Sequence, residues 1–249
     1  MTGNHVFAAT MYGMLAGVVG TGLGGVIAYF LPRIRGNLFS GVLGFAAGIM
    51  LAVTFLELLE ESLVEAGLLP TVIGLLLGLG IFFLLDWFLP HHHPVKPEKE
   101  DDKENQYLRK GLLLAVGIAL HNFPEGMAIG AGYAVSTNMG LVLALVLALH
   151  DIPEGLAVAV PMQAAGQRTA GVWAAFLSGV PTGIGAFFGA YIGAISPFWL
   201  AISLSFAGGA MLYIVCDELI PDAYESGDSH FAILGIGLGL ILGLLLIDM

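Results

Sequence analysis

Apolar residues run through this chain in long blocks separated by short polar breaks. About 20 apolar residues cross a bilayer core as a helix. Eight blocks meet that requirement, at residues 6–31, 38–59, 68–89, 108–132, 139–162, 170–194, 198–220 and 231–247. The breaks between them carry turn or charge signals, among them Pro32 to Gly36, Glu60 to Gly67, Gly166-Gln167-Arg168, Ser196-Pro197 and Glu225 to Asp228. One long polar segment remains, residues 90–107, which opens on His91-His92-His93-Pro94 and continues as a mixed-charge run. It has no apolar face to bury and is predicted to be a flexible loop. The pattern therefore predicts an all-α membrane protein, a single transmembrane domain over residues 1–249 with eight transmembrane helices.

Composition strengthens this reading. Charged residues make up 11% of the chain and hydrophobic ones 57%, where a soluble domain carries about 25% charged. A soluble helical core this apolar would have too little polar surface to face water. No basic run exists to hold a nucleic acid, which excludes that class of partner. Cys216 is the only cysteine, so no intrachain disulfide forms. The N-terminus lacks the basic start and small-residue cleavage site of a signal peptide, and the first block is expected to stay as a membrane helix.

The placement of charge gives an expected topology. The basic residues Arg33, Arg35, Lys96, Lys99, Lys103, Arg109, Lys110 and Arg168 all fall in or beside the first, third and fifth connections. With eight helices these three connections share a side, and the positive-inside tendency puts them in the cytoplasm. Both termini are then outside a multi-pass protein of the cell membrane.

Two segments in the fourth and fifth blocks repeat each other. Ala119-Leu120-His121-Asn122-Phe123-Pro124-Glu125-Gly126-Met127-Ala128 and Ala148-Leu149-His150-Asp151-Ile152-Pro153-Glu154-Gly155-Leu156-Ala157 share the pattern A-L-H-[ND]-x-P-E-G-x-A. Positions i, i+1 and i+4 lie within about a 100° arc of a helix. His121, Asn122 and Glu125 thus share one face, and His150, Asp151 and Glu154 another. Consecutive antiparallel helices would bring these faces together at one depth. Three carboxylates near the bilayer centre would each cost about 2.5–3.5 kcal/mol on an insertion scale. No lysine or arginine lies in the interior of either helix. A divalent cation is the simplest compensating charge. Pro124 and Pro153 remove a backbone donor, free the carbonyls of Leu120 and Leu149, and are expected to kink both helices. Gly126 and Gly155 permit close backbone approach.

With H-N-x-P-E-G followed by H-D-x-P-E-G, the chain resembles the ZIP (Zrt/Irt-like) metal transporters of bacterial type, over essentially its whole length. The resemblance implies eight membrane helices, both termini outside and a histidine-containing loop between the third and fourth helices. It implies transport of Zn²⁺, and often Fe²⁺, Mn²⁺ or Cd²⁺, toward the cytoplasm. It further implies a two-metal site in which Glu125 and Glu154 bridge the ions, His121 and His150 serve one ion, and Asn122 and Asp151 the other. Met50 matches a position where the family supplies a thioether. Thr182 stands about where related bacterial members place a glutamate, a departure that implies either a weakly held second ion or a site that holds one ion firmly. The segment Asp217-Glu218-Leu219-Ile220-Pro221 is implied to line the pathway.

Acidic residues suggest the rest of a route. Glu57, Glu60, Glu61 and Glu65 end the second block, and Asp217, Glu218, Asp222, Glu225 and Asp228 surround the end of the seventh. Both ends are expected at the outer surface, forming one acidic rim that concentrates cations. Glu57, Glu218 and Asp217 are the deepest of these and are candidate pathway residues. His91, His92 and His93 are candidates to receive an emerging ion on the cytoplasmic side. The expected partners are divalent metal ions and the lipid bilayer, with a homodimer as the assembly to look for. The chain is not expected to be an enzyme. Its rivals are an intramembrane two-metal hydrolase, for which the H-E-x-x-H pattern is missing, and an exporter using the same site.

Overall fold

The computed structural model describes residues 3–30, 36–88 and 100–247, all helix apart from short connections. Eight helices are long and apolar enough to cross a membrane. They are α1 (Gly3–Phe30), α2 (Asn37–Ala66), α3 (Leu68–Phe88), α4 (Glu100–Val135), α5 (Thr137–Ala164), α6 (Arg168–Gly193), α7 (Pro197–Ser226) and α8 (Ser229–Ile247). Connections are tight. Gly67, at φ 78°, forms the whole link between α2 and α3 in a backbone region that a side chain would strain.

Three helices outrun the apolar blocks that announce them. α2 continues over Glu60–Ala66, α7 continues to Ser226, and α4 starts at Glu100 inside the segment expected to be a loop. An apolar block marks the hydrocarbon boundary and not the end of the helix. Once nucleated, a helix adds turns without a further nucleation penalty, and the Glu-, Lys- and Gln-bearing stretch before Leu108 favours it. His91, His92 and His93, with Arg33, Arg35, Lys96 and Lys99, lie outside the described residues.

α4 and α5 pack on each other at the centre. α1 packs against α5 and α6, α4 packs against α6, and α2 and α7 flank this core. α3 lies on α7 and α8 on α2, at the periphery. There, Leu76, Phe83, Leu238 and Leu245 are exposed where lipid would cover them.

α2 and α7 are antiparallel partners. Ser40, near the start of α2, donates its hydroxyl to the Ala223 carbonyl near the end of α7 at 2.6 Å. Ser62, near the end of α2, donates to the Ala201 carbonyl near the start of α7 at 2.9 Å. The acidic ends of these two helices therefore face opposite sides, and the single acidic rim expected from the sequence does not exist. Parity is the reason: an even-numbered helix and an odd-numbered helix end on opposite faces of a bilayer. At the α7 end, Asp228 caps α8 by accepting from the His230 backbone N–H at 2.9 Å, which holds its carboxyl below the usual carboxylate range.

The antiparallel pair belongs to a larger repeat. One constant spacing separates Thr21 from Thr182, Gly24 from Gly185, Gly48 from Gly209, Glu57 from Glu218, Gly74 from Gly235 and Gly78 from Gly239. Helices α1–α3 are thereby matched to α6–α8 with inverted direction, around the α4–α5 pair. Inverted repeats of this kind characterise many transporters, with the substrate site at the repeat interface.

Candidate metal site

α4 and α5 run helically through Pro124 and Pro153. α6 is interrupted at Gly179, just before Pro181. Glycine sets how closely the neighbouring helices approach the motifs. A Cβ on Gly126 would strike the Thr182 carbonyl of α6, and one on Gly155 would strike the Thr21 carbonyl of α1. The two contacts are repeat mates, so the site is clamped the same way from both sides.

Between these clamps the motif faces meet. His121, Glu125, His150 and Glu154 each offer a ligand atom, and all four atoms lie within 4.8 Å of one another. His150 Nε2 is 2.9 Å from Glu154 Oε1 and 3.1 Å from Glu125 Oε1. His121 Nε2 is 3.2 Å from the same Glu154 oxygen. All four residues are at most 2% exposed. Of these approaches only the His150–Glu154 pair has hydrogen-bond geometry.

The remaining polar atoms are unsatisfied. Both oxygens of Glu125 and of Asp151, Glu154 Oε2 and Asn122 Oδ1 are buried with no hydrogen-bond donor. Buried oxygens without partners cost about 1–3 kcal/mol each, more when charged. Here six of them lie on the two motifs, those of Glu125 and Glu154 within the convergent group itself. That arrangement is poor as packing and suitable for holding a hard or borderline cation, with imidazole nitrogens added for zinc-like metals.

The other candidates are dispersed around this centre. Met50 is fully buried in an apolar cluster with Met127, Ala128, Leu147 and Met211. Thr182 is buried in α6 with its hydroxyl unpartnered. Glu218 is 27% exposed, with Oε2 4.0 Å from His121 Nδ1. Asp217, beside it, is exposed. Glu57 and Glu218, repeat mates, each sit in a π-helical turn, Thr54–Leu58 and Val215–Leu219. Such turns recur at functional sites. These π turns and the repeat that relates them escape a motif search, although the constant spacing of matched glycines, threonines and glutamates carried the signal.

Comparison with known proteins agrees with this geometry. The family described as ZIP Zinc transporter matches residues 89–247. The zinc transporter ZupT of Clostridium perfringens is 36% identical, covering 96% of this chain and 94% of its own. That of Streptococcus mutans is 34% identical, with 96% of each chain covered. That of Chlorobium phaeovibrioides is 39% identical over 95% of this chain and 96% of its own. With a matching family profile over more than half its length and full-length relatives at this identity, the chain belongs to the ZIP zinc transporter family.

Proposed function

We propose that this protein carries divalent transition-metal ions, zinc foremost, across the cell membrane toward the cytoplasm. One observation carries the reading: two imidazoles and two carboxylates from α4 and α5 converge within 4.8 Å in a buried position. Carboxylates gathered there repel one another, with only the two imidazoles beside them. A passing M²⁺ relieves that repulsion and is held no more tightly than the relief allows.

His121, His150, Glu125 and Glu154 would take the ion first. Asn122 and Asp151, with the far oxygens of the two glutamates, would supply an oxygen-rich second position. Met50 is proposed as an accessory thioether, and Thr182 as a neutral neighbour where a stronger ligand would fix the second ion more firmly. Cd²⁺, Fe²⁺ and Mn²⁺ suit the same donor set less selectively. Glu57 would serve the approach from the outer side, and Glu218 with Asp217 the departure on the inner side, in keeping with the antiparallel packing of α2 and α7. A potential of 100 mV, negative inside, contributes about 4.6 kcal/mol to inward movement of a double charge. Uptake then needs no nucleotide.

The test is ⁶⁵Zn flux in proteoliposomes of known orientation under an imposed potential, with Cd²⁺, Fe²⁺ and Mn²⁺ as competitors. Potential-driven entry in the cytoplasm-facing direction, displaced most effectively by Cd²⁺, is the expected result. Flux running only outward would assign the site to an exporter.

A further inference from the structure

The two motifs differ at one ligand position, Asn122 against Asp151, and the helices behind them differ in a matching way. Behind α4, the α6 helix is interrupted at Gly179. Pro181 has no N–H, and the Thr182 N–H donates to the Gly179 carbonyl at 3.3 Å. The Ser178 carbonyl receives the Asn122 side-chain amide instead, at 2.7 Å, fully buried. A carbonyl oxygen only accepts, so the Asn122 atom facing it must be the NH₂ group. Its Oδ1 is consequently turned away from that carbonyl, and it is buried without a hydrogen-bond partner.

Behind α5, the repeat mate of Ser178 is Gly17 of α1. There the Thr21 hydroxyl takes the Gly17 carbonyl at 2.8 Å. Gly20 of α1 packs directly against the Asp151 Cβ, and both Asp151 oxygens lack a donor. Thr182, the mate of Thr21, leaves its own hydroxyl unpartnered. One repeat therefore closes its carbonyl within an unbroken helix, with the threonine hydroxyl as a second donor, and tolerates an aspartate beside it. The other leaves its carbonyl open and requires a donor.

We propose that the Ser178 carbonyl, left without its helical N–H at the break in α6, is the positioning group that makes Asn122 an oxygen ligand, and that it dictates asparagine at this position and aspartate in the second motif. A carboxylate at position 122 would set one of its oxygens against the Ser178 oxygen at 2.7 Å, a repulsive contact in a medium without water to screen it. The site is thus held at three carboxylates by the shape of α6 and not by charge alone.

The inference rests on Asn122 being a ligand, and the variants separate the two claims. The charge-conserving exchange N122D/D151N keeps every residue type in the site and its total charge. Zn²⁺ affinity is measured by calorimetry on the purified full chain, with the melting temperature recorded beside it. The exchange is expected to weaken Zn²⁺ by about 10- to 100-fold, the usual effect of disturbing a group that orients a ligand, at little change in melting temperature. Adding Thr21→Val removes the hydroxyl from the Gly17 carbonyl, leaving that oxygen's second lone pair for the side-chain amide that D151N introduces, and should restore part of the loss, while T21V alone should bring no gain. An exchange variant that binds as tightly as the wild type, or one that T21V fails to improve, overturns the proposal. N122A supplies the separate control: unchanged affinity there would remove Asn122 from the ligand set altogether.

Discussion

Glu154 of α5 reaches across to His121 of α4, its Oε1 3.2 Å from the His121 Nε2, while the same oxygen lies 2.9 Å from His150 one turn back on its own helix. A single carboxylate oxygen thereby stands between both imidazoles. Glu125 Oε1 of α4 makes the reciprocal link, 3.1 Å from His150 Nε2, so the two motifs act as a unit and the loss of either charge should be felt by every ligand.

Glu154→Gln and Glu125→Gln keep size and shape but remove a buried charge. Uncompensating a buried charged network costs about 3–5 kcal/mol, so zinc binding should weaken by two or more orders of magnitude. ⁶⁵Zn uptake, normalised to the amount of protein in the membrane, is the measurement. Normal uptake by either variant would be incompatible with the site.

His150→Ala removes the imidazole nearest both glutamates and leaves an oxygen-dominated site. Borderline-soft Zn²⁺ and Cd²⁺ should lose ground to Mn²⁺, which favours carboxylate and carbonyl oxygen. Competition against ⁶⁵Zn reads the change directly. An equal loss for all three metals would argue that the imidazole supports the fold and does not select the ion.

Acid should slow transport through the same nitrogen atoms. Only neutral imidazole ligates metal, so protons compete with the ion for His121 and His150. Binding through these imidazoles should weaken as the proton concentration rises. Uptake compared at pH 7.5 and pH 5 under one fixed membrane potential tests this; a flat profile contradicts ligation by histidine.

Gly126→Ala and Gly155→Ala act on the clamps. A Cβ at either position would strike the carbonyl of Thr182 or Thr21, and the helices must part to admit it. Forced overpacking of this kind typically costs about 1–3 kcal/mol. Both variants should melt earlier in detergent, and by similar amounts because the contacts are repeat mates.

The two motifs were legible because an α-helix repeats closely enough that residues at i, i+1 and i+4 must share a face, and because carboxylates without counter-charges in an apolar helix demand a partner. Eight apolar blocks revealed the helix count for a related reason: hydrocarbon tolerates no unsatisfied backbone. The ends of the helices were less legible. Glu60–Ala66 and Glu100–Tyr107 are polar yet helical, since hydropathy reports where water begins and not where hydrogen bonding stops.

Sequence alone therefore determined which residues must be compensated in the membrane and which chemistry compensates them. Tertiary structure decided where the acidic ends of α2 and α7 stand, on opposite sides through their antiparallel pairing, and which oxygen of each motif is free to face an ion. Those outcomes depend on contacts between helices far apart in the chain, such as Asn122 with Ser178. Local periodicity fixes the face a side chain occupies, but it carries no information about the carbonyl waiting on the next helix.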